Sequence, residues 1–127
     1  MKFLFDAIVQ KYNDSELEYP LYPADRVRQK KRPYITYMLV DIGPYYTFSG
    51  NGEEAIVQFS IWSDDQEEAT LMFNELTHVF DDAELEYTDG YTEDGCKRVG
   101  GNIVPEDEET WHVIAEYHIK MRGLRTP

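Results

Sequence analysis

AIVQFSIWSDDQEEATLMFNELTHVF, residues 55–80, changes hydrophobic period halfway along, and that change decides the fold. Up to Trp62 the residues alternate: Ala55, Val57, Phe59 and Ile61 share one face, and Ile56, Gln58, Ser60 and Trp62 share the other. Period two over eight residues is a strand with one buried side. Ser63 to Glu68 then offers capping side chains and first-turn carboxylates, which favour a helix start because they meet unpaired N–H groups and the positive end of the dipole. From there to about Phe80, the apolar residues Ala69, Met72, Phe73, Leu76, Val79 and Phe80 fall at helical spacing. A half-buried strand running straight into an amphipathic helix predicts a helix laid across a sheet.

Toward the N-terminus, Ser49 to Gly52 is turn chemistry, because Asn and Gly tolerate positive φ. Before it, Pro33 opens a strand from Tyr34 to Val40, Gly43-Pro44 is expected to break it, and Tyr45 to Phe48 resumes extended structure. These strands pair as a hairpin with residues 55–62. Residues 13–33 read as an irregular loop in which Pro20 and Pro23 preclude regular structure and Leu21 and Tyr22 serve as anchors. Phe3, Leu4, Ala7, Ile8 and Tyr12 predict a short first helix over residues 3–12.

Toward the C-terminus, Leu85 to Tyr87 is a short edge strand and Thr88 to Gly95 is turn-like. Lys97 to Val104 is a strand weakened by Gly100 and Gly101, and Pro105 to Glu109 is an acidic turn. Residues 111–121 alternate throughout: Trp111, Val113, Ala115, Tyr117, Ile119 and Met121 on one face, His112, Ile114, Glu116, His118 and Lys120 on the other. One face belongs in a core and the other is wet or at an interface. Residues 122–127 are expected to be a flexible tail. The fold class is therefore α+β, a mostly antiparallel sheet of four or five strands with one helix across a face and a short N-terminal helix, in a single domain over residues 1–127.

Charge limits the function. The 25 acidic and 12 basic residues give a formal net charge of -13, which repels phosphate on average and argues against a free-standing nucleic-acid binder. Five of the cations, Arg26, Arg28, Lys30, Lys31 and Arg32, occupy one seven-residue window, so a basic loop sits on an acidic body. It reads as a solvated loop, an intersubunit arm, or the lining of a channel that DNA crosses. The single Cys96 excludes an intrachain disulfide. No apolar run approaches the roughly 18 residues that span a bilayer, so no membrane association is expected and folding is placed in the cytoplasm.

Chemistry is sparse. No nucleotide loop, nucleophile elbow or paired-cysteine motif is present. His112 and His118 stand six residues apart on one strand face, roughly 20 Å at strand rise, too far to share a metal. His78 lies away from the helical stripe, and the flanks of Cys96 carry no nucleophile signature. Neither a catalytic residue, a cofactor nor a metal is expected. The candidate contact residues are the basic cluster, Leu71 on the helix face opposite the stripe, and His112 and His118; tyrosines such as Tyr34, Tyr37, Tyr45 and Tyr46 suit interfaces through large area with a polar tip.

Pro33-Tyr-Ile-Thr-Tyr37, a glycine-containing hairpin, Val57-Gln-Phe-Ser-Ile-Trp-Ser63 and a helix opening at Asp64-Asp-Gln-Glu-Glu-Ala69 resemble the small tail-completion, or head-tail joining, proteins of siphophages and related prophages. The resemblance covers most of residues 1–121; the acidity, the basic loop and residues 81–105 depart from that pattern. It implies a non-enzymatic virion subunit, assembled in the host bacterial cytoplasm, whose copies form a ring, expected to be sixfold. The ring would cap the tail tube and meet the head connector, with DNA present only by passage through the lumen. An acidic DNA mimic or inhibitor binding a basic partner is the rival reading, with carboxylates at phosphate-like spacing and no self-assembly. A small hydrolase would need a pocket of convergent polar groups.

Overall fold

The computed structural model describes residues 2–26, 31–47, 50–87, 90–105 and 110–122. The chain enters through α1 (Lys2–Asp14), then β1 (Leu21–Pro23) and a 3-10 turn at Ala24–Arg26. The hairpin β2 (Tyr34–Thr47) and β3 (Gly50–Ser63) leads into α2 (Gln66–Phe80), followed by β4 (Glu86–Tyr87), β5 (Gly90–Pro105) and β6 (Trp111–Arg122). These strands form one sheet in the order β1-β2-β3-β6-β5-β4. The four long strands alternate in direction, since β2–β3, β3–β6 and β6–β5 are all antiparallel, while β1 runs parallel to β2. The α+β expectation holds, and two short strands at the borders raise the total to six.

Both helices pack on the face that the alternation marked as buried. Leu4, Ala7, Ile8 and Tyr12 of α1 and Ala69, Met72, Leu76 and Phe80 of α2 join Ile35, Val57, Phe59, Ile61, Val113, Ala115, Tyr117 and Ile119 in one core. Phe59 is the centre of its aromatic part, with ring centroids 4.7 Å from Phe80 and 5.9 Å from Tyr117. Each such side chain contributes about 1.5–3 kcal/mol by leaving water. Helix α2 starts where the sequence indicated: the Asp65 side chain accepts from the Glu67 N–H at 3.3 Å. At its other end the Asp81 carboxylate accepts from the Tyr117 hydroxyl at 2.6 Å and lies 3.3 Å from Arg98, so the helix terminus is tied to β6 and β5.

Four local expectations change. Residues 21–23 are not irregular: they pair with Ile35–Tyr37, a position a proline can occupy because it ends a strand at the sheet border. Gly43-Pro44 does not break β2; the irregularity sits at Val40, between Leu39 and Asp41. A one-residue bulge turns the strand over, so Pro44 directs its missing N–H away from β3 and costs the ladder nothing. Gly50 to Gly52 belongs to β3, because Thr47 already pairs with Gly50. Gly52 serves close approach instead, since a Cβ there would collide with the Met121 carbonyl. Residues 90–95 are strand rather than turn, and Gly95, at φ 75°, lies where a Cβ would stand 2.6 Å from the Asp82 carbonyl oxygen. Arg122 closes β6, while residues 123–127, residues 106–109 of the expected acidic turn and the side chains of Phe3, Tyr45 and Tyr46 lie outside the described residues.

Candidate interaction surface

With both helices on one side, no described helix or strand covers the other face of the sheet, although Tyr34, Thr36 and Ser60 there are buried among their neighbours and Trp62, His112 and Ile114 are half-buried. The residues pointing there follow from register: Tyr34 opposite Trp62, Thr36 opposite Ser60, Met38 opposite Gln58, and on β6 His112, Ile114, Glu116, His118 and Lys120. Tyr22, Tyr34, Trp62 and His112 make an aromatic row across β1, β2, β3 and β6. Successive ring centroids lie 6.1, 6.4 and 3.8 Å apart, and His112 stacks on Trp62 at 12°. Cross-strand aromatic pairs each contribute about 0.2–1 kcal/mol, so the row also stiffens this end of the sheet.

The charge on this face is uneven. Around the aromatic row, Tyr22, Tyr34, Thr36, Met38, Gln58, Ser60, Trp62, His112 and Ile114 include no carboxylate, lysine or arginine, in a chain of net charge -13. Asp41, Glu54, Glu116, His118 and Lys120 gather toward the opposite end, where His118 Nε2 sits 3.0 Å from Glu54 Oε2. Exposed acids concentrate instead on the helix side and the turns that flank it, at Asp6, Asp14, Glu67, Asp81, Asp82 and Glu84. Keeping charge off a surface lowers the desolvation cost of covering it, as in the cores of protein interfaces.

The other sequence candidates are scattered. Arg26 and Lys31 are exposed, and Arg32 Nε donates to Asp64 Oδ1 at 2.5 Å, pinning the end of the basic segment to the turn before α2. Arg28 and Lys30 lie outside the described residues. Leu71 stands 51% exposed on α2, which packs on the side of the sheet opposite His112 and His118. His112 and His118 share the face away from the helices, but His112 belongs to the aromatic row and His118 Nε2 meets Glu54 at the other end. Cys96 is fully buried and burial pushes its thiol up to about 12, so the residue packs rather than reacts. Among the described residues no group of three or more His, Cys, Asp or Glu is placed to hold a metal, and no helix is long and apolar enough to cross a membrane.

The aromatic row as a unit was missed from sequence. Alternation placed Trp62 and His112 on outward faces, but which strand lies beside which, and in what register, is a tertiary fact. A shallow groove of about 460 Å³ between α2 and β5, lined by Thr70, Phe73, Gly101, Asn102, Ile103 and Val113, was likewise invisible.

The chain is thus an α+β fold with an acidic helical layer on one side and, on the other, a sheet face that is aromatic at one end and charged at the other. No family model matches the chain, and none of the curated proteins matches it. In fold it is similar to a chain of a solved structure described as "Virion of native gene transfer agent (GTA) particle", with a TM-score of 0.81 at 13% identity, over 94% of this chain and 95% of that one. At that identity the likeness concerns the fold.

Proposed function

We propose that this protein is a structural, non-enzymatic subunit of a phage-like virion, one whose copies form a ring that completes the tail and joins it to the head. The observation that carries this reading is the shared fold, nearly end to end in both chains, with a component of a gene transfer agent virion. The tail-completion resemblance in residues 33–37 and 57–69 supports the particular level of the joint. The bare face suits the role, since a ring stacked between tube and connector needs broad contact area with little charge to desolvate. An acidic mimic, by contrast, works through its carboxylates and has no use for the uncharged aromatic row.

A head-to-tail ring repeats one interface about its axis, so each subunit presents two complementary patches. The basic segment of one copy meeting the acidic helical side of the next supplies such a pair, and Arg32 on Asp64 shows within one chain that the two charge types pair there. An acidic lumen lets DNA slide without sticking. The subunit number is proposed as six, and assembly is placed in the host bacterial cytoplasm.

The test is assembly. The chain mixed with its candidate tail-tube protein should give rings on tube ends by electron microscopy, and deletion of the gene should leave tails that neither mature nor attach to heads. Unchanged infectious yield after deletion would overturn the reading.

A further inference from the structure

The two borders of the sheet are only partly closed, and the parts left open match. Strand β1 covers β2 over Ile35–Tyr37, and β4 covers β5 over Gly90–Tyr91. Cys96 is held by backbone bonds with Asp82 and Ala83. Among the described residues no strand pairs with the outer side of β2 from Met38 to Thr47 or of β5 from Arg98 to Pro105. Apolar side chains stand exposed on both stretches: Met38 at 43%, Val40 at 48% and Ile42 at 42% on one, Val99 at 56% and Ile103 at 50% on the other. An open strand with apolar side chains is a template for pairing with another strand.

Register shows which backbone groups face outward. The Ile35 N–H donates outward to the Pro20 carbonyl at 2.9 Å. Ile35 pairs with Ile61, Ile61 with Val113 and Val113 with Ile103, so hydrogen-bonding sides alternate across the sheet and Ile103 also faces outward, as does Gly101 two residues away. On β2 the outward positions are Leu39 and, because the bulge at Val40 shifts the alternation, Ile42, whose N–H donates to the exposed Asp41 carboxylate at 2.9 Å, a bond that an incoming strand would replace. Leu39 and Ile42 lie opposite the buried Val57 and Ala55, and Ile103 and Gly101 lie opposite the buried Val113 and Ala115. All four positions are therefore on the helix-side face.

We propose that the open stretch of β5 pairs antiparallel with the open stretch of β2 from a second copy of this chain, Ile103 opposite Leu39 and Gly101 opposite Ile42, joining copies head to tail into one continuous sheet. The alternating directions of the four long strands make this polarity automatic: an identically oriented neighbour presents β2 running against β5. Within one molecule Ile103 is level with Ile35, so the pairing slides the neighbour by four residues, roughly 13 Å at strand rise. The slide carries the new strand past the neighbour's β1. Four is an even number, so faces and hydrogen-bonding sides stay matched. The missing side chain at Gly101 leaves room for Ile42 beside Phe73, in the groove along α2. A stagger at every joint closes into a ring when the strands tilt against its axis, as they do in barrels. Pro44 and Pro105 limit the ladder to a few bonds, which suits a joint completed on a tail rather than in free solution.

The inference deepens the ring reading and rests on it. Its test mixes two single variants of the full chain, Ile42→Cys and Ile103→Cys, both at exposed positions, with a short bis-maleimide at the highest soluble concentration, alone and with the candidate tail-tube protein. A covalent heterodimer in the mixture, with neither variant linking to itself and with no product when Leu71→Cys replaces Ile103→Cys, is the expected result. Self-linked dimers of either variant would mean isologous pairing and overturn the proposal, and so would the absence of a heterodimer in both conditions. Failure here with a deletion phenotype intact sinks the joint and leaves the function. A heterodimer from a chain whose deletion leaves virion yield unchanged sinks the function and leaves the joint.

Discussion

Tyr117→Phe isolates what holds the end of α2 to the sheet. The ring stays between Phe59 and Phe80, so packing is untouched, and only the hydroxyl that donates to Asp81 at 2.6 Å is removed. A hydrogen bond to a charged acceptor contributes about 1.5–3 kcal/mol net. The Asp81 side chain is 38% exposed and recovers water when its donor is lost, which lowers the expected cost to about 1–1.5 kcal/mol. For a domain of 127 residues that is a fall in Tm of about 3–6 °C. The assay is urea unfolding of the wild type, Tyr117→Phe, Asp81→Asn and the double variant, with equal m-values required. The coupling energy from the cycle should be about 0.5–1.5 kcal/mol. A coupling of zero, with Tyr117→Phe as stable as the wild type, would refute the view that this bond fastens the helix.

Gly52→Ala should destabilise by about 2 kcal/mol or more in the same assay, because the new methyl meets the Met121 carbonyl of the paired strand; a neutral result would mean the β3–β6 ladder is looser than its register. Stability should fall as pH rises above 9. Burial raises Cys96 from 9.0 to about 12 and Tyr12 from 10.0 to about 12, and burial together with the Asp81 bond raises Tyr117. The folded state then holds protons that the unfolded state has lost, so the stabilisation complete below pH 9 disappears through about pH 12; alkaline urea titrations check it, and a flat profile would contradict these burials. The same burial makes Cys96 inert to iodoacetamide at pH 8 until urea unfolds the chain, measured by mass spectrometry. Ile114→Glu, on the bare face, should leave Tm within a few degrees of the wild type yet abolish tail completion; normal tails from that variant would remove the face from the assembly.

Periodicity carried most of the fold. Residues 55–62 and 111–121 each announced a buried and an outward face, and Asp65 with the stripe from Ala69 to Phe80 announced α2, because these patterns are imposed locally by one environment per face. Gly43-Pro44 misled for a tertiary reason. Whether a proline breaks a strand depends on which side its missing N–H points, and that was set by a bulge at Val40 that no local pattern marks. Gly52 and Gly95 misled likewise, as each answers to a distant carbonyl rather than to a turn. On the candidate face, the outward placement of His112 was legible, while the row that joins it to Trp62, Tyr34 and Tyr22 required the strand order.

If copies join edge to edge as proposed, the even count of long strands also constrains how this chain can diverge. Losing or acquiring one full-length strand would leave both borders running the same way, and a lineage doing so would forfeit antiparallel union between like-oriented copies. Descendants are free to enlarge by whole hairpins, two strands per event, or to decorate the borders with stubs as brief as β1 and β4.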